Sequence, residues 1–277
     1  MGVVVLLTLL VYPVAFPVSA LAQSGERIAG YRIDMEITAP EGDLVVSEVI
    51  DYDFGADERH GIFRKIPERF PYDDTNERIY PIEVLEVSGS PRTPDEYETS
   101  HENEYLVLKI GDPDETITGR HRYEISYRVT GALNGFDDHV ELYWNAVGFE
   151  WPVPIDNVDV SVTAPADITR VTCFAGPNGS TAPCSSANFS GRTASFKQPA
   201  LGSYESMTIV VGMPTGSVNA PMPVLDERWS FGRAFRATPA TVGAALALML
   251  AVLAALSGKV FSQGRDRRFA GSAVDAA

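Results

Sequence analysis

A chain of 277 residues and 30.0 kDa can form one domain with appendages or two small domains. Its hydrophobic fraction of 45% and charged fraction of 21% exclude a wholly disordered chain. The formal net charge of −15 argues against nucleic acid as a partner, because a phosphate backbone requires a basic protein surface.

The N-terminal segment has the features of a secretory signal peptide. Residues 3–16 form an uncharged apolar run, and Ala20-Leu21-Ala22 is a small-x-small site of the kind that signal peptidase cleaves. The run is too short to span a bilayer comfortably. We therefore expect residues 1–22 to be removed and the mature chain to start at Gln23. No Lys or Arg precedes the run, which an incorrectly chosen start codon would explain. An uncleaved anchor helix is the alternative, judged by the length of the segment.

Between residues 30 and 212, apolar and polar residues alternate and are interrupted by Gly, Pro, Asp and Asn. This pattern predicts short β-strands without intervening helices. The fold class is therefore all-β, and we expect residues 23–212 to form an antiparallel β-sandwich. A division into two subdomains near residues 151–155 is the alternative. The predicted strands are 31–38, 44–54, 62–66, 79–87, 104–110, 121–129, 140–144, 158–164, 193–196 and 206–211.

The third predicted strand carries a charge at a position that should face the core. If side chains alternate along this strand, Arg64 points to the same side as Ile62 and Ile66. A buried, unpaired charge is strongly destabilising, so Arg64 requires a carboxylate partner. Glu48, inside an apolar strand, is our candidate. We favour a clamp that fixes the register of the sheet, and a ligand site is the alternative.

Three large aromatic residues, Tyr143, Trp144 and Trp151, lie close in sequence to the polar residues Asn145 and Glu150. Trp and Tyr bury large areas and seek partners for their N–H and O–H groups. This group predicts either the packed corner of a sandwich, which we favour, or a surface that binds sugars or peptides by stacking.

Cys173 and Cys184 are the only cysteines of the chain, and they enclose a loop rich in Gly, Pro and Ser. An exported pair at this spacing is expected to oxidise, so we predict a disulfide that contributes about 2–3 kcal/mol. No His lies close to either cysteine, which argues against zinc.

A second apolar block predicts a transmembrane helix. Residues 238–256 contain no charged side chain, and at about 1.5 Å per residue they reach about 28 Å, close to the hydrocarbon thickness of a bilayer. A buried helix of a soluble core is the alternative. We expect residues 213–237, rich in Pro and Gly, to form a stalk, and residues 257–277 to form a short cytoplasmic tail.

The two apolar blocks together predict the topology. A cleaved signal peptide sends the chain across the membrane, and the second block stops it there. We therefore expect a type I single-pass protein of the cell membrane, with the N-terminal domain outside, the C-terminus in the cytoplasm and the lipid bilayer as its partner. The basic residues that flank the second block, four after it and three before it, agree with this orientation only weakly.

Common catalytic motifs are absent from the sequence, which has no G-x-S-x-G, H-E-x-x-H, P-loop, G-x-G-x-x-G or C-x-x-C. We therefore expect no enzymatic activity, no cofactor and no metal. Three acidic segments could ligate a cation, but turns at strand ends explain them better. These segments are 73–77, 112–115 and 137–141. The first two lack the spacing of an EF-hand, and the sharpest candidate is the third, Asp137-Asp138-His139 with Glu141.

Several of these stretches together resemble the DUF2207 family of predicted bacterial and archaeal membrane proteins. They are HGIFRKIP at 60–67, TGRHRYEISYRV at 118–129 and ELYWNAVGFEWPVPIDNVDVSVTAP at 141–165. The resemblance covers residues 30–215. It implies an exported β-rich domain tethered to a membrane, with no catalytic residues to carry over. Family members usually continue beyond the first span into further transmembrane helices, so the C-terminal part of this chain is expected to be shortened.

The sequence thus favours a membrane-anchored binding or structural module. Residues 23–233 contain 17 basic and 35 acidic side chains, which gives the expected outer domain a net charge of −18. An acidic domain is soluble and is repelled by anionic lipid headgroups. A protein or glycan partner outside the membrane is left open. The alternatives are a carbohydrate-active hydrolase, which requires two facing carboxylates, and a Ca²⁺-dependent adhesion module.

Overall fold

The computed structural model describes residues 25–219, 221–234 and 237–263, so the expected signal peptide at 1–22 lies outside the described residues. The chain divides into two compact units, Met1–Asp226 and Glu227–Ala277. The described part of the first unit consists of β-strands and turns, and the second unit contains the helices. The all-β prediction for the N-terminal domain is therefore confirmed.

All ten predicted strands are present, with ends shifted by a few residues, and seven further strands lie in segments where the alternation is short or weak. In chain order the strands are β1 Arg27–Ile37, β2 Leu44–Asp53, β3 Gly61–Pro67, β4 Arg69–Pro71, β5 Asn76–Ile79, β6 Ile82–Gly89, β7 Tyr97–Glu102, β8 Tyr105–Gly111, β9 Arg120–Val129, β10 Leu133–Gly135, β11 His139–Val147, β12 Ile155–Thr163, β13 Arg170–Gly176, β14 Ser186–Ser190, β15 Thr193–Leu201, β16 Ser206–Pro214 and β17 Val224–Glu227.

The described strands form four sheets. The largest has the order β14-β15-β12-β1-β2-β9-β6, and a four-stranded sheet has the order β10-β11-β16-β13. Two three-stranded sheets have the orders β17-β5-β4 and β3-β8-β7. In the largest sheet β1 and β12 run parallel, whereas the other neighbouring strands are antiparallel. A parallel pair requires a long crossover, and here the intervening chain builds the strands β2 to β11.

Alternation along the strands places one side of each long strand in a shared hydrophobic core. On β2 the inward side chains belong to residues 44, 46, 48, 50 and 52, and on β3 they belong to residues 62, 64 and 66. Two of these inward positions are occupied by charged residues, Glu48 and Arg64, which are 1% and 2% exposed. The core therefore encloses the opposite-charge pair of Glu48 and Arg64.

Two glycines allow β3 and β8 to approach closely at one end of their ladder. Gly61 is paired with Gly111, and both have positive φ, at 145° and 136°. A Cβ built at Gly61 would overlap the carbonyl oxygen of Ile110, and one built at Gly111 would overlap that of His60. Glycine is required at both positions because the opposing backbone occupies the space of a side chain.

The first unit extends beyond residue 212, where the sandwich was expected to end. Strand β17 lies beside β5 in its sheet, and Arg69 Nη1 of β4 lies 3.0 Å from Asp226 Oδ2 of β17. Part of the segment expected to form a stalk, 213–237, is thus a strand of the folded domain. Pro is common next to edge strands, so a Pro-rich composition does not distinguish a linker from such a strand.

The second unit contains α1, Phe231–Ala234, and α2, Pro239–Gln263. The Thr238 side chain caps α2, because its oxygen accepts a hydrogen bond from the backbone N–H of Thr241 at 3.1 Å. Pro239 then occupies the first helical position, where its missing N–H leaves no partner unsatisfied.

Helix α2 has the properties of a membrane span. By length and composition, Pro239–Ser262 is the one helix among the described residues that could cross a membrane. Its apolar side chains, including Leu246, Leu248 and Leu250, are exposed on all sides of the helix, as is typical of a helix surrounded by lipid. The helix includes nearly all of the expected span and continues into the expected tail, whose residues after 263 lie outside the described part.

Candidate functional site

The structure brings Arg64 and Glu48 together as a buried, bidentate ion pair. Arg64 Nε donates to Glu48 Oε2 and Arg64 Nη2 donates to Glu48 Oε1, both at 2.7 Å. The residues lie on different sheets, and the period of two along β2 and β3 turns both side chains inward. The pair therefore joins two sheets through the core.

Two tyrosines complete the surroundings of this carboxylate. The hydroxyls of Tyr31 and Tyr127 donate to Glu48 Oε2 and Oε1, each at 2.7 Å. Both tyrosines lie on strands next to β2, displaced by two residues from the position opposite Glu48, which is within reach of a large aromatic side chain. Arg64 Nη1 donates in addition to the carbonyl oxygen of Lys65. Each carboxylate oxygen thus accepts two hydrogen bonds, as a buried charge requires.

The electrostatics of this cluster fix its protonation. Burial alone would raise the pKa of Glu48, but the Arg64 guanidinium and the hydrogen bonds outweigh it, and the pKa is lowered. Burial raises the pKa values of Tyr31 and Tyr127 well above the ordinary value, with a further contribution from the Glu48 charge. At neutral pH the tyrosines therefore donate and the carboxylate accepts, an arrangement suited to holding sheets together.

The structure divides the predicted aromatic and polar cluster into two parts. Trp151 packs with the ion pair: its ring meets Tyr31 edge-on at a centroid distance of 5.9 Å, and Arg64 Cζ lies 6.0 Å from the ring centroid. Trp144 instead meets Tyr80 edge-on at 5.5 Å. Glu150 lines the same cavity as Trp151. The five residues are therefore not one site.

Tyr143, Trp144 and Asn145 line a cavity of about 240 Å³, here called the aromatic pocket. Its other walls are built by Phe70 of the short strand β4, for which no strand was predicted, and by Tyr80, which lies within the predicted strand 79–87 but between β5 and β6 in the structure. The rings of Phe70 and Tyr80 lie 5.6 Å apart. The signal that could have indicated them is the dense aromatic and proline content of residues 67–81. The remaining lining residues are Pro67, Pro71, Tyr72 and Arg78.

Arg78 fixes the wall of the aromatic pocket. Its Nη2 donates to the carbonyl oxygens of Gly131 at 2.6 Å and Leu133 at 2.9 Å, and its Nη1 donates to the side chain of Asn134. Its Cζ lies 4.9 Å from the Tyr80 ring centroid, a cation–π distance. Arg78 thereby ties β5 to the segment that contains β10.

An open strand edge borders the same pocket. Strand β11 pairs with β16 from His139 to Val147, but it pairs with β10 only from Val140 to Leu142. Within the described residues, positions 143–147 therefore have no strand neighbour on the β10 side, and the solvent-accessible part of this edge is at Tyr143 and Asn145, because Ala146 and Val147 are buried. The aromatic pocket lies at the start of this stretch, since residues 143–145 line it.

The disulfide loop extends this surface. Cys173 on β13 is bonded to Cys184, and the Cα atoms lie 5.5 Å apart. The loop residues 177–180 line a cavity of about 330 Å³ that shares Phe70, Tyr143 and Asn145 with the aromatic pocket. We call the two cavities together the aromatic groove. The exposed Tyr143 ring belongs to both halves of it.

The acidic segments have local partners. The Asp73 carboxylate accepts hydrogen bonds from the Asn76 side chain and the Thr75 backbone, which lower its pKa to about 2. Asp112 accepts from the backbone N–H of Asp114 at 2.8 Å. His139 Nδ1 lies 2.5 Å from Asp138 Oδ1, and the imidazole ring stacks on Phe136. Across the described ranges, no three His, Cys, Asp or Glu side chains are grouped so that they could hold a metal ion.

Comparison with solved structures gives only distant likenesses. An M1 zinc metallopeptidase from Deinococcus radiodurans has a TM-score of 0.37 at 10% identity, over 69% of this chain and 43% of that one. Native leukotriene A4 hydrolase from Saccharomyces cerevisiae has a TM-score of 0.39 at 10% identity, over 68% of this chain and 29% of that one. This chain thus spans less than half the length of these proteins. At such values the likeness carries no inference about activity.

Comparison with family models gives a specific result. The N-terminal domain of the predicted membrane proteins called DUF2207 matches residues 27–213, a range that contains the buried ion pair and all lining residues of the aromatic groove. A search of curated proteins gives no match. Since the family match covers most of the chain, and since α2 has the length and composition of a membrane span, the chain belongs to the DUF2207 family of predicted membrane proteins.

Proposed function

We propose that this chain is a type I single-pass membrane protein whose outer β-sandwich binds an extended polypeptide along the aromatic groove. The single observation that carries the proposed binding is the coincidence of an aromatic pocket with the edge of β11 at residues 143–145, which has no strand neighbour on the β10 side within the described part of the chain and where Tyr143 and Asn145 are accessible to solvent. Family membership and helix α2 support the membrane location.

The proposed orientation is supported by two features of the chain, its N-terminal segment and its disulfide. The signal-peptide features of residues 1–22 favour export of the domain that begins after Ala22. The Cys173–Cys184 disulfide agrees with export, because disulfides persist in oxidising compartments. A chain exported up to α2 leaves its C-terminus in the cytoplasm.

An epitope tag at the C-terminus tests this orientation. We expect a tag after Ala277 to be inaccessible to antibody in intact cells and accessible after permeabilisation. A tag inserted after Asp114, in an exposed turn, is the matched control and should be accessible in intact cells. N-terminal sequencing of the mature protein should begin at Gln23. Labelling of the C-terminal tag in intact cells would contradict the proposed topology.

The class of ligand follows from the groove. An open strand edge presents backbone N–H and C=O groups that a second extended chain satisfies, which is the basis of β-strand addition. The aromatic pocket beside that edge accommodates one apolar or aromatic side chain of the added strand. The pocket wall formed by Phe70, Tyr80 and Trp144 provides large contact surfaces of the kind that dominate binding energy.

The charge around the groove narrows the class of peptide that it favours. Residues 68–77, which include the lining residues Phe70 and Tyr72, contain four acidic residues and one basic residue. The only cation among the lining residues of the aromatic pocket, Arg78, is 9% exposed and already bonded to three oxygen acceptors. The favoured ligand is therefore an extended peptide with an aromatic or proline residue flanked by Lys or Arg.

Selection from a peptide display library tests the proposed binding. The full chain in lipid nanodiscs should enrich peptides with this pattern, and the enriched peptides should bind with saturation. Replacing Tyr143 or Tyr72 with alanine should weaken their binding by about tenfold, because each exposed ring is removed from the groove without disturbing the core.

Tyr97→Ala is the matched control, because this tyrosine is similarly exposed but lies on β7, outside the groove. The Tyr97→Ala variant should bind the enriched peptides as tightly as the unaltered chain does. Either a failure to enrich any such peptide, or equal binding by the Tyr143 and Tyr72 variants, would refute the groove as a peptide site.

A further inference from the structure

We propose that a second cavity of the outer domain, separate from the aromatic groove, binds a saccharide. This cavity has a volume of about 460 Å³ and is bordered by β3, β7 and the turns around residues 151 and 204. We call it the Tyr204 pocket. It shares no lining residue with the aromatic groove, so it forms an independent site.

Two exposed aromatic rings provide the stacking surfaces of the Tyr204 pocket. Phe63 and Tyr204 are 59% and 61% exposed, and both line the cavity. Phe63 faces outwards because it alternates with the buried Ile62 and Arg64. Aromatic faces of this kind pack against the C–H faces of a sugar ring, and the exposed rings would gain buried area from such a ligand.

The backbone presents the Tyr204 ring at an energetic cost. Tyr204 has a φ of 61°, in the left-handed region that large side chains rarely adopt. Its N–H donates to the Trp151 carbonyl oxygen at 2.8 Å, and Gly202 N–H donates to Glu205 Oε2 at 2.7 Å, so the turn is held in place. A strained residue that holds an aromatic ring in solvent is typical of a functional position.

Polar groups of both hydrogen-bonding types line the same cavity. Lys65 Nζ lies 3.1 Å from Glu102 Oε2, which leaves further donor positions on the ammonium and acceptor positions on the carboxylate. Glu150 adds a second carboxylate to the lining. This carboxylate also interacts with Tyr105, which does not line the cavity, and burial together with Glu150 raises the pKa of Tyr105 to about 12.

This lining selects among ligand classes. Its two carboxylates and one ammonium give a small negative charge, which disfavours phosphate and other anions. Lys65 in the wall disfavours a simple organic cation. A neutral sugar has apolar ring faces for Phe63 and Tyr204 and hydroxyls that both donate and accept, and it matches the whole set.

Saturation-transfer NMR on the full chain in lipid nanodiscs tests this assignment. The probes are chitotetraose, cellotetraose, maltotetraose and mannotetraose, with choline as a cationic probe. We expect at least one tetrasaccharide to bind with saturation below about 10 mM, and choline not to compete with it. Tyr204→Asn, which keeps a residue tolerant of the left-handed backbone, and Phe63→Thr, which keeps a strand former, should each weaken binding by about fivefold or more.

Phe189→Thr is the control for loss of an exposed aromatic residue, since Phe189 lies on β14 outside the cavity. This variant should bind the saccharide as well as the unaltered chain does. Tyr143→Ala should likewise leave saccharide binding unchanged, which separates this site from the peptide groove. No binding by any tetrasaccharide, binding that survives both Tyr204→Asn and Phe63→Thr, or competition by choline would overturn the assignment.

Discussion

Replacing Glu48 with alanine should lower the free energy of unfolding by about 3–5 kcal/mol, because it leaves the Arg64 guanidinium buried without its partner. Arg64 is 2% exposed, and two of its hydrogen bonds end on this carboxylate. The Tyr31 and Tyr127 hydroxyls lose an acceptor as well. Denaturant unfolding of the full chain in detergent measures the change.

An exposed ion pair is the matched control for this effect. Arg122 and Asp51 lie 2.7 Å apart, with side chains about half exposed, so Asp51→Ala should change the stability by about 1 kcal/mol or less. The double variant Glu48→Leu/Arg64→Met should recover much of the loss, since it removes both charges together. If Glu48→Ala lowers the free energy of unfolding no more than Asp51→Ala does, the structural role of the Arg64–Glu48 pair is contradicted.

The same pair predicts sensitivity to acid. Because the pKa of Glu48 is lowered in the folded state, its contribution to stability is complete above the pKa of the unfolded chain and is lost as the pH falls through the folded value. The unaltered chain should therefore lose stability below about pH 4. Glu48→Gln removes this titration, so the stability difference between the two proteins should shrink as the pH decreases.

Replacing Gly61 with alanine should destabilise the domain by about 2–4 kcal/mol or prevent folding. The new Cβ would overlap the Ile110 carbonyl oxygen and approach Gly111 Cα to 2.8 Å. A φ of 145° is also a conformation that residues with a Cβ rarely adopt. The strain would fall on the β3–β8 ladder, which carries Arg64. Thermal unfolding of the full chain measures the effect.

Gly148→Ala controls for loss of a glycine. A Cβ at Gly148 would have no heavy atom within 4 Å, and its φ lies outside the positive range. This change should shift the stability by less than about 1 kcal/mol. Comparable unfolding temperatures for the two glycine variants would show that the backbones at Gly61 and Gly111 can separate without loss of packing.

The sequence predicted those features that depend on one strand at a time. Alternation along β3 predicted that Arg64 faces inward, because the side-chain period of a strand is fixed by its geometry, and the position of Glu48 inside an apolar strand made it the candidate partner. The parallel pairing of β1 with β12 was not predictable, since pairing between distant strands depends on the path of the whole chain.

The arrangement of the candidate site was likewise not predictable from single segments of the sequence. Trp144 and Trp151 are close in sequence, but one lies on β11 and the other in the turn before β12, and they pack against different aromatic residues. The wall that Phe70 provides comes from a segment with little alternation, so the period-of-two pattern did not reveal it, and the predicted strand 79–87 did not indicate that Tyr80 faces the same cavity. Contacts between segments, which define a cavity, leave no local pattern in the sequence.

The position of β17 has a mechanical consequence. This strand is the last of the folded domain before the chain continues to α2, and it lies beside β5, the strand that carries Arg78. Tension transmitted along the chain from an anchored α2 would be received first by β17, through its ladder with β5 and the contact between Asp226 and Arg69. A force that pulls the domain away from the membrane would therefore load one wall of the aromatic pocket directly.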